Sequence, residues 1–136
     1  MTLFDKEPHR PTCDLWFTVP GPPVGKQRAR KGRGGRWYTP AATRRFERSV
    51  AACFLQVKSQ AERRGWSLVV VTKAVELEVE CYFADGRRRD GDNVLKAVSD
   101  ALNGIAYRDD SQIVRAVVTK AIDRLEPRTV VKVSYR

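Results

Sequence analysis

The sequence predicts an α/β (α+β) fold: a single compact domain in which two helices pack on a mixed β-sheet. Three observations carry that expectation. Residues 75–83 alternate apolar and polar side chains, the period of a half-buried strand. Residues 40–64 and 92–103 repeat their apolar positions every three or four residues, the period of a helix with one buried face. The order of patterns is strand, helix, strand, helix, strand, strand, which suits one layered α/β domain. A length of 136 residues supports one core rather than two.

Residues 1–13 mix acids with Pro8, His9 and Pro11 and contain no apolar run, which predicts a flexible arm rather than a signal segment. Residues 14–19 are aromatic and β-branched, a first strand stopped by Pro20-Gly21-Pro22-Pro23. A basic loop or ribbon follows over residues 26–36, and Trp37-Tyr38 begins a short extended piece. Thr39 and Pro40 suit the N-cap and first turn of a helix. Its apolar stripe is Phe46, Val50, Phe54, Val57 and Ala61, and Gly65 can end it after Arg64. In the strand that follows, Val75, Leu77, Val79, Cys81 and Phe83 face inward. Glu76, Glu78 and Glu80 then share the outer face, where a period of two reads as a solvated or salt-bridged surface rather than an acidic site. Val94, Leu95, Val98, Ala101 and Leu102 form the apolar face of a second helix over 92–103, with Gly104 as its C-cap. Residues 112–122 and 129–135 are β-branched strands, and the Glu126-Pro127 turn predicts an antiparallel hairpin between them.

Composition narrows the chemistry. No run of eighteen apolar residues is present, so the expectation is a soluble, cytoplasmic protein without a membrane partner. Three separated cysteines and one histidine make no zinc pattern. With His9 in the arm, histidine-relay hydrolysis is set aside, and catalysis falls to carboxylates, lysine and a metal. The formal charge of +10 is concentrated. Lys26, Arg28, Arg30, Lys31, Arg33 and Arg36 crowd one glycine-containing stretch, Arg44, Arg45 and Arg48 follow, and no acid intervenes between Asp14 and Glu47. A solubilising surface would mix signs, so this density points to nucleic acid.

Against that background five aspartates gather: Asp90, Asp92, Asp100, Asp109 and Asp110. Asp90 falls in the loop after a strand, Asp92 at or beside the N-cap of a helix, and Lys96 one turn later on the same face. Taken alone, this pattern reads equally as a cap and an i,i+4 pair contributing about 1 kcal/mol. If strand end, helix start and next strand start meet at one sheet edge, Asp90, Asp92 and Asp110 converge with Lys96. Hard carboxylate oxygens so gathered suit Mg²⁺, with Mn²⁺ able to substitute.

The run Arg87-Arg88-Arg89-Asp90-Gly91-Asp92-Asn93-Val94-Leu95-Lys96-Ala97, then Ser99 to Gly104, then Asp109-Asp110-Ser111-Gln112-Ile113-Val114 resembles the RusA family of Holliday-junction resolvases. That family carries an RRRDxDNxxKxxxDAL segment followed by a DDxQV-like one. The likeness is dense over 87–114 and looser over 17–23, and Gly91 stands where the family often has an apolar residue. It implies a small homodimeric, Mg²⁺-dependent endonuclease that nicks branched DNA symmetrically in recombination and repair, without a nucleotide cofactor. It places the essential acids on Asp90, Asp92 and Asp110 and the essential lysine on Lys96; Asp100 matches a family position too and is read as a helix-surface or capping residue. Arg87, Arg88 and Arg89 would grip phosphates near the cut, Asn93 would support the ligands, and Lys26, Arg28, Arg30 and Arg33 would bind DNA. A flap- or fork-cleaving nuclease and a non-catalytic nucleic-acid binder are the alternatives.

Overall fold

Strand alternation becomes a two-faced sheet in the computed structural model, which describes residues 13–65 and 73–136. Its elements are β1 (Cys13–Pro20), β2 (Arg30–Lys31), β3 (Trp37–Tyr38), α1 (Ala41–Arg63), β4 (Val75–Phe83), α2 (Gly91–Leu102), a 3-10 turn (Asp110–Gln112), β5 (Ile113–Ile122) and β6 (Arg128–Tyr135). The predicted arm falls outside the described residues, except that Cys13 already belongs to β1. Both helices lie on the face that carries Leu15, Phe17, Leu77, Val79, Val131 and Val133, all buried. Phe54 of α1 is fully buried and meets Phe17 edge to face, with ring centroids 6.0 Å apart. Replacing a ring so enclosed leaves a void that the sheet cannot close. Phe54→Ala should therefore lower unfolding stability by about 3–5 kcal/mol, read as a lowered urea midpoint at unchanged slope.

The sheet order is β1-β6-β4-β5, which corrects the expected terminal hairpin. β6 runs antiparallel between β1 and β4, while β5 lies parallel to β4 at the edge. Burial explains the choice. Val131, Val133, Ser134 and Tyr135 are all buried and suit an interior strand, whereas most of β5 is exposed. The turn between them crosses the end of β4, where the Asp123 amide donates to the Phe83 carbonyl.

The open face holds the three glutamates, and it is salt-bridged as the alternation suggested. Glu76 pairs with Arg136, and Glu78 lies 3.4 Å from Arg115 and 3.9 Å from Lys132. Glu80 accepts from the Tyr82 hydroxyl at 2.9 Å. No helix among the described residues is long and apolar enough to cross a membrane.

Helix α1 begins after Pro40, with no side-chain cap, so the expected Thr39 cap does not form. Its last turn closes where Gly65, at φ 91°, donates to the Glu62 carbonyl.

Candidate active site and nucleic-acid interface

Where β4 ends, a short loop delivers the chain to α2. Asp90 takes the N-cap position there, and its Oδ1 accepts from the Asp92 amide at 2.9 Å. Capping thus falls to Asp90. Asp92 lies in the first turn and Lys96 one turn on, both exposed, and no ion pair joins them among the described residues. The loop is braced from three sides. Arg89 Nη1 lies 2.9 Å from Asp85 Oδ1, and its guanidinium stacks 4.7 Å over Phe83. Lys120 of β5 donates from Nζ to the Arg89 carbonyl at 2.9 Å. Hydrogen bonding from Arg89 and from the Arg87 amide holds the Asp85 carboxyl below the usual carboxylate range. Gly91 lets the helix start almost in contact with β5: a Cβ there would lie 3.3 Å from Val118 Cγ2 and 3.5 Å from Lys120 Cγ.

Asp110 is elsewhere. Because β5 is parallel to β4, it begins where β4 begins, with Val75 beside Ile113, and ends with Phe83 beside Ile122. Helix α2 carries the chain back between those two sheet edges, over about 18 Å for its twelve residues. Asp110 opens the 3-10 turn that leads into β5 and so lies at the far end from Asp90 and Asp92. The anticipated convergence of three acids does not occur within one chain, and among the described residues no three Asp, Glu, His or Cys side chains come together to hold a metal. The oxygen chemistry suits a hard divalent cation, but one chain brings only two of the three acids together.

The neighbouring acids have structural tasks. Asp109 and Gln112 form a capping box around the 3-10 turn, and hydrogen bonding from Ser111 keeps the Asp109 carboxyl below its ordinary range. Asp100 joins Glu47 in holding Lys26, with Nζ distances of 3.2 Å and 2.6 Å. Burial alone would lower the Lys26 pKa; its hydrogen bonds to Glu47 and Asp100 outweigh burial and raise it. The sequence reading missed this triad, as well as Asp85 and Lys120. All of them join residues far apart in the chain or inside a turn, where local pattern gives no signal.

Lys26 therefore ties the base of the basic stretch to both helices. Its amide donates to the Asn93 carbonyl at 2.8 Å, and Gly25 packs so closely that a Cβ would lie 3.1 Å from Asn93 Cβ. Beyond it, β2 and β3 pair Arg30 with Tyr38 and Lys31 with Trp37 in a small hairpin. Gly34 and Gly35, at φ 84° and 80°, form its tip. Arg28, Arg30, Arg33 and Arg36 are exposed along it, and Trp37 is 69% exposed. The hairpin base is thus tied to the first turn of α2, beside Asp92. Arg87 and Arg88 are also exposed, while Arg89 is engaged by the loop. Replacing Arg28, Arg30 and Arg33 together by Ala should weaken DNA binding. The slope of log K against log salt should flatten by up to about 0.9 per lost phosphate contact, measurable by fluorescence anisotropy from low to moderate salt. An unchanged slope would remove the hairpin from the DNA interface.

Residues 20–134 match the family model for endodeoxyribonuclease RusA. The chain is 33% identical over 105 residues to the crossover junction endodeoxyribonuclease RusA of Escherichia coli (strain K12), covering 76% of this chain and 80% of that one. The enzyme of the same name from Enterobacteria phage 82 matches at the same identity and coverage. An uncharacterized protein of Bacillus subtilis (strain 168), YqaN, is 29% identical over 141 residues, covering 86% of this chain and 93% of its own.

Proposed function

The chain belongs to the RusA endodeoxyribonuclease family, and from that premise we propose that it resolves four-way DNA junctions by paired symmetric nicks. It would act as a homodimer, with Mg²⁺ or Mn²⁺, in recombination and repair. The observation that supports this best is the grouping of Asp90, Asp92 and Lys96 around the start of α2, with a basic hairpin pinned to the same turn. A non-catalytic DNA binder would have no use for exposed carboxylates there, since they repel phosphate unless a cation offsets them.

Each group has a task in this reading. The hairpin arginines and exposed Arg87 and Arg88 bind the sugar-phosphate backbone and fix its path over the helix start. Asp90 and Asp92 offer hard oxygen ligands. A bound Mg²⁺ would supply charge neutralisation at the phosphate and lower the pKa of a coordinated water. Lys96 places an ammonium where negative charge grows on the phosphate oxygens. Asp90 combines two roles, since its N-cap bond fixes the carboxylate relative to the helix axis.

Nicking assays on four-way junction, flap, fork and linear duplex, in Mg²⁺ and with chelator, test the proposal. Paired nicks in the junction that vanish with chelator are expected. Cutting that survives chelator would remove the metal, and cutting of flaps but not junctions would replace the substrate.

A further inference from the structure

Trp37 is 69% exposed on the basic hairpin, an unfavourable place for so large an apolar side chain. Among the described residues it has no stacked ring and no cation over its face. Trp16, at 54%, differs: the Lys132 ammonium covers its ring at 4.9 Å. Tyr38 differs too, since its ring backs the hairpin at Gly32, where a Cβ would meet Cδ1 at 3.4 Å. The register sets Lys31 opposite Trp37, on the face away from Arg30 and Tyr38. Lys31 in turn lies along the tip, its Cε 3.6 Å from where a Gly35 Cβ would be.

Both ends of the hairpin are fixed. At one end the Lys26 amide is bound to the Asn93 carbonyl of α2. The Thr43 hydroxyl of α1 joins it there, accepting from the Gln27 amide and donating to the Gly25 carbonyl, each at 3.4 Å. At the other end Trp37 stands four positions before Ala41, the first residue of α1, a span of about 14 Å at full stretch. Trp37 is thus tethered near the turn that carries Asp92.

Five exposed cations on the same hairpin, Arg28, Arg30, Lys31, Arg33 and Arg36, repel a basic partner and attract a polyanion. A polyanion with flat apolar faces to offer is a nucleic acid, whose bases stack on aromatic rings whatever their sequence. In continuous duplex, however, both faces of every base are covered by its neighbours. A face is bare only where stacking is interrupted, as at the branch point of a junction opened into its arms. We propose that Trp37 stacks on a nucleobase left bare at the branch point, and so makes the hairpin a reader of branch structure. This rests on the junction reading of the proposed function and deepens it. The arginines then supply affinity for any DNA, and the indole the preference for a branch.

Competition anisotropy in chelator, where nothing is cut, tests it. A labelled four-way junction is displaced by unlabelled junction or by a relaxed minicircle, which has neither branch nor ends. Trp37→Ala should weaken junction binding about 5- to 150-fold and leave minicircle binding as in the parent. The salt slope should also hold, because an indole displaces no counterions. Trp37→Phe, which keeps a ring, should recover part of the preference, and Trp37→Leu, apolar without a ring, should not. On irradiation, 5-iodouracil at the branch point should cross-link to Trp37, and the same base placed mid-arm should not. Equal losses on junction and minicircle, or a flattened salt slope, would make Trp37 a prop for the hairpin and overturn the stack. Full recovery by Leu, or a cross-link to the mid-arm base instead, would overturn it as well. A parent protein that binds minicircle and junction alike would fail the junction reading itself, and this inference with it.

Discussion

Asp92→Asn protein will hold a four-way junction as tightly as the parent and cut it on the order of a hundredfold more slowly, or worse, in Mg²⁺. The substitution removes one ligand charge while keeping the volume and one oxygen. Asn is also the informative choice at Asp90, whose Oδ1 caps α2. Asn caps nearly as well as Asp, whereas Ala would add about 1 kcal/mol of helix loss to any catalytic effect. Asp90→Asn should therefore leave the thermal midpoint almost unchanged and still abolish cleavage. Asp110→Asn should do the same from the other end of the chain. Asp109→Asn is the control, because its carboxylate serves the capping box and the amide oxygen can still accept from the Ser111 amide. Single-turnover rates beside anisotropy affinities separate the cases. If Asp109→Asn is as inactive as Asp110→Asn, the division of labour between these adjacent acids is wrong. If Asp92→Asn cuts at the parental rate, Asp92 is not a ligand.

Most of the fold was legible because its signals are local. Alternation fixed both bounds of β4, and the apolar stripes of α1 and α2 fixed their buried faces. What local signals do not contain is the order of strands. The Glu126-Pro127 turn suggested a hairpin, yet β6 is apolar on the face that needs covering and belongs between β1 and β4, so the turn spans a strand instead of joining neighbours. The site turns on a separate point, the direction of β5 relative to β4. With β5 antiparallel to its neighbour, a meeting of strand end, helix start and strand start is easy to picture. With β5 parallel to β4, the crossover helix must return the chain to the opposite edge before β5 can begin.

The acidic motif was legible as a set of residues but not as a geometry. Spacing placed Asp90, Asp92 and Lys96 together because they lie within seven residues on one helix start, and the structure agrees. Asp110 was grouped with them by an assumed meeting of strand end, helix start and next strand start at one sheet edge, and by the motif. The basic stretch shows a similar split. Charge density marked residues 26–36 as a nucleic-acid surface, and most of it is exposed as expected. Lys26 is the exception, held by Glu47 and Asp100 from two different helices, neither of them near it in sequence.

Lys96→Ala is expected to cost turnover far more than affinity. A positioned cation beside developing charge in a site shielded by bound DNA contributes about 3 kcal/mol to the barrier, a loss of roughly a hundredfold in rate. One exposed phosphate contact among many is a minor share of binding. Lys96 is exposed on α2 and has no ion-pair partner among the described residues, so no structural bond is broken by the change. Alanine is also the better helix former, and stability should hold or rise slightly. If Lys96 were only a solubilising surface charge, cutting would stay near normal. Lys96→Arg sharpens the comparison: it keeps the charge but spreads it over a planar fork that does not place a point charge at the same spot. A partial rescue of the single-turnover rate by Arg, at unchanged junction affinity, would assign Lys96 to transition-state stabilisation. Equal losses in affinity and rate for Ala, fully restored by Arg, would make it a plain DNA contact.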